Sequence, residues 1–418
     1  MTTGSPAAPL PLSARTATRA TILLIALRIG YAYNWFDVGP GLPAIGAEFG
    51  VGVADWGLLI AAFLVGAGLF QVPAGLLARR YGSRVVSLVG TGLLAIGGVG
   101  GAFAPDFASL LALRLLSGIG AGLFFSPAIG LVASLYPEGR RGVPVGTFSS
   151  AFSAGAALGL LGSSALVPLL GWRWALAAGG LALGIISLAA WLGIPRTAGA
   201  PSRTASPPGV PAALRFRGTW AVGVAFIGLE GASFATGQFI VPYGETVLGW
   251  AALLAGGVGM MFVLPSVVGG PLGGSIAERY SNHRTQFVVA TIVAAAVLLA
   301  LPVAGWAVAI LIGTVFSFGY GVIYAVMYVL PHYWTPVPPA EIPLAIGLFN
   351  SIQLAGGAVV SAAFGWVVAQ RGYSVGWEFL SGAMVVFLVA LFGLPALAGG
   401  GGRPSAAGGA ARPAGPGP

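Results

Sequence analysis

Apolar runs of about twenty residues follow one another along this chain, separated by short loops that carry arginine. A helix that crosses the hydrocarbon core of a bilayer needs a run of about that length. Such runs lie at 21–43, 56–78, 84–104, 108–133, 143–168 and 174–195, and again at 219–243, 251–276, 285–304, 306–330, 344–369 and 375–398. They are continuous rather than alternating, which excludes a transmembrane β-barrel. Backbone facing lipid must satisfy its own hydrogen bonds, and within one run only a helix does so. The expectation is an all-α membrane protein with twelve transmembrane helices. Charged residues are 7% of the chain and hydrophobic residues 57%, too little polar surface to cover a soluble globule of 418 residues. The first run is no cleavable signal, because it holds Arg28 and Asp37 and lacks a small-residue cleavage site after a short apolar core.

The formal charge is +9, and all 19 basic residues are arginine. A soluble protein with this balance would suggest nucleic acid, but here the arginines are dispersed among short loops. Their placement sets the topology. With the N-terminus inside, Arg15, Arg19, Arg79, Arg80, Arg84, Arg140, Arg141, Arg196, Arg203, Arg215, Arg217, Arg279, Arg284, Arg403 and Arg412 fall on the inner side. Only Arg173 and Arg371 fall outside, while Arg28 and Arg114 lie within runs. A multi-pass protein of the inner (cytoplasmic) membrane with both termini cytoplasmic is expected. Cysteine is absent and only His283 and His332 are present, so no metal site is expected. Without lysine a phosphate-binding P-loop is impossible, which excludes an ATP-driven pump for this chain alone. No catalytic constellation stands out, and no cofactor is expected.

The organisation reads as a cytoplasmic tail (1–20), a six-helix bundle (21–195), a basic proline-containing linker (196–218), a second six-helix bundle (219–398) and a disordered Gly/Pro/Ala-rich cytoplasmic tail (399–418). The two bundles repeat one design. Pro43 and Pro242 are 199 residues apart, as are Gly75 and Gly274, Gly120 and Gly319, and Gly122 and Gly321. GTFSSAFSAG at 146–155 answers GLFNSIQLAG at 347–356, and Gly171-Trp172 answers Gly376-Trp377. Two pseudo-symmetric parallel repeats are one transporter architecture.

The loop Gly75–Arg84, with Arg79, Arg80 and Gly82, is answered by 274–284, with Gly274, Glu278 and Arg279. Arg114 is followed at fixed spacing by Gly118, Gly120 and Gly122, and Gly146, Gly155 and Gly159 form a further series. In these motifs the chain resembles the major facilitator superfamily over residues 20–398. The resemblance implies secondary transport by alternating access, with the glycine-bearing loops as conformational motifs and Arg114 in proton coupling. Two features depart from the family pattern. Arg79 stands where relatives carry an acid that helps lock the halves together. Leu160 follows Gly159 where drug/proton antiporters have proline.

Ionisable residues inside the membrane are costly and by default functional. Arg28 shares a helix face with Tyr31 and Trp35, suited to an anion through a charge-assisted bond. The bland alternative for Arg28 is snorkelling to an interface, and for Arg114 snorkelling or bonding backbone carbonyls. Asp37 precedes Gly39-Pro40-Gly41, where a broken helix supplies free backbone groups, unless it only sits in the outer water layer. Glu230, at the centre of its run, heads a polar arc with Ser233, Gly237 and Gln238 and is suited to proton exchange. Further polar stripes are Asn350, Gln353, Gly357 and Ser361; Thr147, Ser150 and Ser153; and the tyrosines 320, 324 and 328, of which Tyr324 is the expected substrate contact. Arg28 should recruit an anion, either Asp37, Glu230 or the substrate itself. Asp37 lies on the far side of the same helix, whereas Glu230 aligns with Tyr31 at the 199-residue offset, so that an anionic substrate could displace Glu230 from Arg28.

The function expected is proton-coupled uptake of a small organic anion or metabolite. The alternative is proton-coupled efflux of an apolar or cationic compound such as a drug. The partners expected are the small-molecule substrate, a co-transported proton and membrane lipid, with no nucleic acid, and the chain is expected to act as a monomer.

Overall fold

The computed structural model describes residues 13–137, 140–200, 211–280, 282–333, 336–338 and 341–393. The expected tails (except 13–20), the middle of the linker at 201–210, and Arg203, Arg403 and Arg412 lie outside these residues, as does the side chain of Glu278. Almost every described residue is helical, and there is no strand among them.

Helix α1 (Ala14–Phe36) is capped by Ser13, whose hydroxyl accepts the Thr16 N–H. It stops at Asp37, where Gly39-Pro40-Gly41 forms a 3-10 turn, and a short α2 (Leu42–Phe49) follows. Proline at 40 has no N–H to continue the ladder. Helices α3 (Val53–Tyr81) and α4 (Ser83–Gly101) are joined by Gly82 alone, at φ 89°. Helix α5 (Phe107–Ser134) begins at Asp106, whose carboxylate accepts the Ser109 N–H at 2.7 Å. That bond holds the Asp106 carboxyl below its ordinary value.

Helix α6 (Gly142–Gly193) has 52 residues, and if straight it would be about 78 Å long against a hydrocarbon core of about 30 Å. It is instead a hairpin turning at Gly171, which sits at φ 77°. Its contacts with α1 prove the reversal. Before the turn Gly155 packs on Ile29 and Gly159 on Tyr33; beyond it Gly179 packs on Tyr33 and Asp37, Leu183 on Gly30 and Gly193 on Leu23. The α1 numbers rise, then fall.

The short α7 (Ala212–Arg215) leads into α8 (Arg217–Thr246), which is enclosed almost throughout. The run at 251–276 is split into α9 (Ala252–Met261) and α10 (Ser266–Arg279) around Pro265. Helices α11 (His283–Leu298) and α12 (Trp306–Val329) follow. The last helix, α13 (Ile342–Phe387), is a second hairpin, turning at Gly372 with φ 83°. It meets α8 at Ile227 through Gly356 and at Gly231 through Gly357, then at Tyr243 through Trp377 and back at Gly228 through Met384. The turning partner of Gly171 is therefore Gly372 rather than Gly376, which packs on Val368 and Phe364.

Nine helical spans among the described residues are long and apolar enough to cross a membrane, α9 and α10 together making one of them and these hairpins two. The expected twelve crossings fit this arrangement once each hairpin counts as a pair and α1 is added. Outward-facing Leu69, Leu158, Ile185, Leu311 and Val359 are each more than half exposed, the surface of a chain solvated by lipid.

Close backbone contact is built by glycine in α5. A Cβ on Gly118 would fall on the carbonyl oxygen of Phe63, and one on Gly122 would lie 2.6 Å from that of Ala67, both in α3. Gly120 faces the other way, 2.5 Å from the Gly90 oxygen in α4. Spacing of four therefore serves one neighbour and the glycine between serves a second. Across the halves, α3 and the first arm of α13 run together. Gly57 would meet the Ser361 oxygen at 2.9 Å and Gly365 the Val53 oxygen at 2.8 Å. Nearer the arginine-rich end the pair opens, and Gly347 finds only Val72 at 3.9 Å.

Candidate functional site

That opening leads into a cavity of about 850 Å³ between the halves. Of the expected substrate contacts, Arg28, Tyr31, Trp35, Glu230, Ser233, Tyr324, Asn350 and Gln353 line it. Gln238 does not. Its side-chain amide donates to the Trp35 carbonyl oxygen, and its backbone lies against Gly39. Gly146, Ile129, Gly270 and Pro271 line the cavity towards the arginine-bearing loops. At the opposite end it stops on a layer of rings: Trp35 lies 5.1 Å from Phe234 and 4.8 Å from Phe63, and Phe36 stacks on Phe234 at 5.4 Å.

Arg28 is 6% exposed and has no carboxylate partner; its Nε and Nη1 atoms make no hydrogen bond. Instead the guanidinium is boxed by rings, with centroids at 4.4 Å (Phe125), 4.7 Å (Phe152), 4.8 Å (Tyr31) and 5.5 Å (Phe148). Cation–π contact offsets part of the desolvation cost but leaves the Nε and Nη1 donors unsatisfied. Residue Phe125 comes from α5 and Phe148 and Phe152 from the first arm of α6; Phe148 and Phe152 are one helical turn apart, interleaved with Thr147, Ser150 and Ser153. The sequence reading singled out those hydroxyls and missed the rings between them.

Glu230 is 3% exposed and accepts a 2.8 Å hydrogen bond from the Tyr320 hydroxyl. Neither Arg28 nor any other described cation is paired with it, so the expected Arg28–Glu230 contact is not made in this structure. Tyr328 donates to Asn350 Oδ1 at 2.9 Å, Gln353 Nε2 donates to the same oxygen at 2.8 Å, and Tyr324 and Tyr328 share a 2.9 Å bond. Gln71 of α3, which also lines the cavity, was not anticipated; it is an isolated amide in an apolar run, with no stripe to mark it.

Asp37 and Arg114 lie outside the cavity. Both are buried, with Asp37 Oδ1 3.5 Å from Arg114 Nη1. The guanidinium also donates to the Asn34 carbonyl oxygen at 3.3 Å and lies 4.5 Å from the Phe63 ring. So Arg114 does not snorkel, and Asp37 is not in an outer water layer.

Arg84 reaches from the start of α4 to the carbonyl oxygens of Trp191 and Ile194, closing the C-terminal end of α6, while Ser83 N–H donates to the Gly199 oxygen. Cations are favoured at helix C-termini. Arg79 and Arg80 are exposed at the end of α3, and Arg279 is exposed at the end of α10. Neither Gly75 nor Gly274 has a neighbour where a side chain would project. At the far rim, Arg173 bridges Glu48, at 2.6 Å, and the carbonyl oxygens of Ala102 and Ala104. The Arg173 guanidinium holds the Glu48 carboxyl below the usual carboxylate range. Among the described residues no group of three or more His, Asp or Glu side chains could hold a metal ion.

The family model of the Major Facilitator Superfamily matches residues 24–337. The 4-hydroxybenzoate transporter PcaK of Pseudomonas aeruginosa is 30% identical over 156 residues, 37% of this chain and 35% of that protein. The quinolone resistance transporter of Acinetobacter baumannii is 32% identical over 187 residues, 41% of this chain and 42% of that protein. The match thus spans well under half the length of these relatives. A bacterial homologue of the human lysosomal transporter Spinster, solved in an inward-facing and occupied conformation, shares the fold with a TM-score of 0.72 at 17% identity, over 91% of this chain and 96% of that one.

Proposed function

The chain belongs to the Major Facilitator Superfamily, and on that premise we propose that it takes up a small organic anion together with a proton, by alternating access through the central cavity. One observation carries the choice of an anion. Of the buried membrane charges, Asp37 and Arg114 neutralise one another, whereas Arg28 faces the cavity without a carboxylate. A guanidinium stays charged at any physiological pH, and an unpaired one in a low-dielectric site is costly. An anionic substrate relieves that cost through charge-assisted, bidentate bonds. The relative PcaK, a 4-hydroxybenzoate transporter by name, is in keeping with an aromatic acid lying among these rings.

Proton coupling follows from Glu230 in the same cavity. An entering anion and an ionised Glu230 repel in a low-dielectric space. A proton on Glu230 removes that repulsion, so anion and proton load together without direct contact between Glu230 and Arg28. The arginine-rich end is the cytoplasmic one in this reading, which makes the observed state open to the cytoplasm and closed outside by Trp35, Phe36 and Phe234. Rocking of the halves at the α3–α13 contact then exposes Arg28 to the other side. The protein acts as a monomer in the cytoplasmic membrane.

The test is transport in proteoliposomes. Arg28→Gln is expected to lose about 2–4 kcal/mol of substrate binding, the range for truncating one member of a buried charged pair, with Arg28→Lys between it and wild type. Glu230→Gln is expected to abolish accumulation driven by a pH gradient while exchange continues. Normal transport by both Arg28 variants would sink the anion reading. Efflux of an apolar or cationic compound would then stand, a reading favoured by the ring-lined cavity and by the quinolone resistance relative.

A further inference from the structure

The wall of the cavity formed by α12 and α13 reports what else the substrate must carry, given that Arg28 receives its anionic group. Tyr328 has one hydroxyl hydrogen, and it goes to Asn350 Oδ1. In the 2.9 Å bond between Tyr324 and Tyr328, Tyr328 must therefore accept and Tyr324 donate. The Tyr320 hydrogen goes to Glu230. All three hydroxyl hydrogens on the tyrosine stripe are thus committed within the protein.

Gln353 extends the same pattern. Its Nε2 is held by Asn350 Oδ1, which leaves Oε1 buried and without a partner on a residue 2% exposed. Gln71 Oε1, on a residue 3% exposed, is likewise buried without a partner. Turning the Asn350 and Gln353 amides over together would preserve their mutual bond but put an unpaired N–H group on the wall of a cavity that the Arg28 guanidinium also lines. The cation favours oxygen rather than N–H at that wall. So the cavity has donors without acceptors on Arg28, and acceptors without donors at Tyr324, Gln353 and Gln71.

We propose that the cavity selects organic anions that also bear an O–H or N–H donor, the anionic group lying on Arg28 and the donor on the Tyr324–Gln353 wall, with an aromatic or other apolar body between the rings. A ligand that lacks the donor leaves buried acceptors unpaired, and sites built that way reject such analogues. A methyl ether in place of the hydroxyl presents a further acceptor and is rejected as well. Gln353 is the residue that sets this preference.

Equilibrium binding to the purified full-length protein tests the proposal with 3-phenylpropanoate and its hydroxy, amino and methoxy derivatives at ring positions 3 and 4. The hydroxy and amino compounds are expected to bind about tenfold tighter than the parent, and the methoxy compounds no tighter than it. In Gln353→Leu the hydroxy-to-parent ratio is expected to fall to about unity. Methoxy compounds binding as tightly as hydroxy ones, or no donor preference in wild type, would overturn the proposal. So would a ratio that survives in Gln353→Leu, whether or not Tyr324→Phe lowers it. The wild-type series stands whether or not the variants fold. The neutral pair 4-ethylphenol and ethylbenzene separates the two readings. If the neutral phenol binds as tightly as its carboxylate, the role of Arg28 fails while the donor rule is still read from the pair. If all the carboxylates bind alike, the donor rule fails and the role of Arg28 stands. Binding by none of these compounds overturns both.

Discussion

Asp37→Asn removes the negative member of the buried pair and leaves the Arg114 guanidinium enclosed. What remains to it is the Asn34 carbonyl oxygen at 3.3 Å, the Phe63 ring at 4.5 Å and the uncharged amide oxygen of the new asparagine. Removing one partner of a buried pair costs about 3–5 kcal/mol, because the other charge is left uncompensated. The 3.5 Å separation is long beside the about 2.7–2.9 Å of a strong charge-assisted bond. With a carbonyl and a ring retained, the loss is expected at the lower end, about 3 kcal/mol. Arg114→Met should cost at least as much, since it strands a carboxylate whose Oδ2 already lacks a partner. The double variant carries no buried charge at this place, and apolar or neutral replacements of whole pairs are often neutral, so it is expected within about 1 kcal/mol of wild type. The assay is unfolding of the detergent-solubilised protein, with the four proteins closing a double-mutant cycle. If the two single losses simply add in the double variant, or if Asp37→Asn unfolds like wild type, the pair is not what stabilises this region.

Gly122→Ala and Gly130→Ala lie on one helix but differ in space: a Cβ at 122 meets the Ala67 oxygen at 2.6 Å, and one at 130 meets nothing within 4 Å. Gly122→Ala should therefore cost about 1–3 kcal/mol of stability and Gly130→Ala none, and equal melting points would refute the close-contact account. Glu48 has a lowered folded value, so its bond with Arg173 stabilises above the unfolded value of about 4.3 and fades as pH falls through the folded value. The gap in melting temperature between wild type and Glu48→Gln should be present at pH 7 and close on acidification, and a pH-independent gap would count against the bond. Because the chain has no cysteine, single variants Arg80→Cys and Arg371→Cys report sidedness directly. An impermeant thiol reagent added outside intact cells should modify only Arg371→Cys, and the reverse pattern would invert the proposed topology.

Much of the fold was legible because lipid leaves a chain few options. The runs at 108–133 and 56–78 became α5 and α3 with ends within a few residues, and Gly39-Pro40-Gly41 did break the helix it was expected to break. Pro265 is where the run at 251–276 divides, a break that hydropathy alone did not mark. The α5 glycines pointed to close packing, yet which helix each one meets depends on its side of the helix. Contacts between distant positions were harder to see. Asp37 and Arg114 are 77 residues apart, Glu230 and Tyr320 are 90 apart, and no local pattern assigns either partner. The hydrophobic period shows which residues face inward but not which of them share a depth. For that reason Glu230 stood among the anions expected beside Arg28, and the structure gives each a different set of neighbours.

The two hairpins bear on how the chain is made. At Gly171 and Gly372 one residue with positive φ reverses the path, and only a few polar residues lie between the arms, Arg173 at the first turn and Gln370, Arg371 and Ser374 at the second. Each arm alone would present its packing face to lipid with nothing to cover it. The pair therefore should leave the translocation machinery as one unit, held back until the second arm has been synthesised. A force-sensing arrest sequence placed at successive points after residue 171 would record a single pulling event for the hairpin, and two well-separated events would show that the arms enter the bilayer independently. Nascent chains with β-branched substitutions at Gly171 should stall at this step, since the backbone there, at φ 77° and ψ 161°, lies in a positive-φ region that is essentially reserved for glycine.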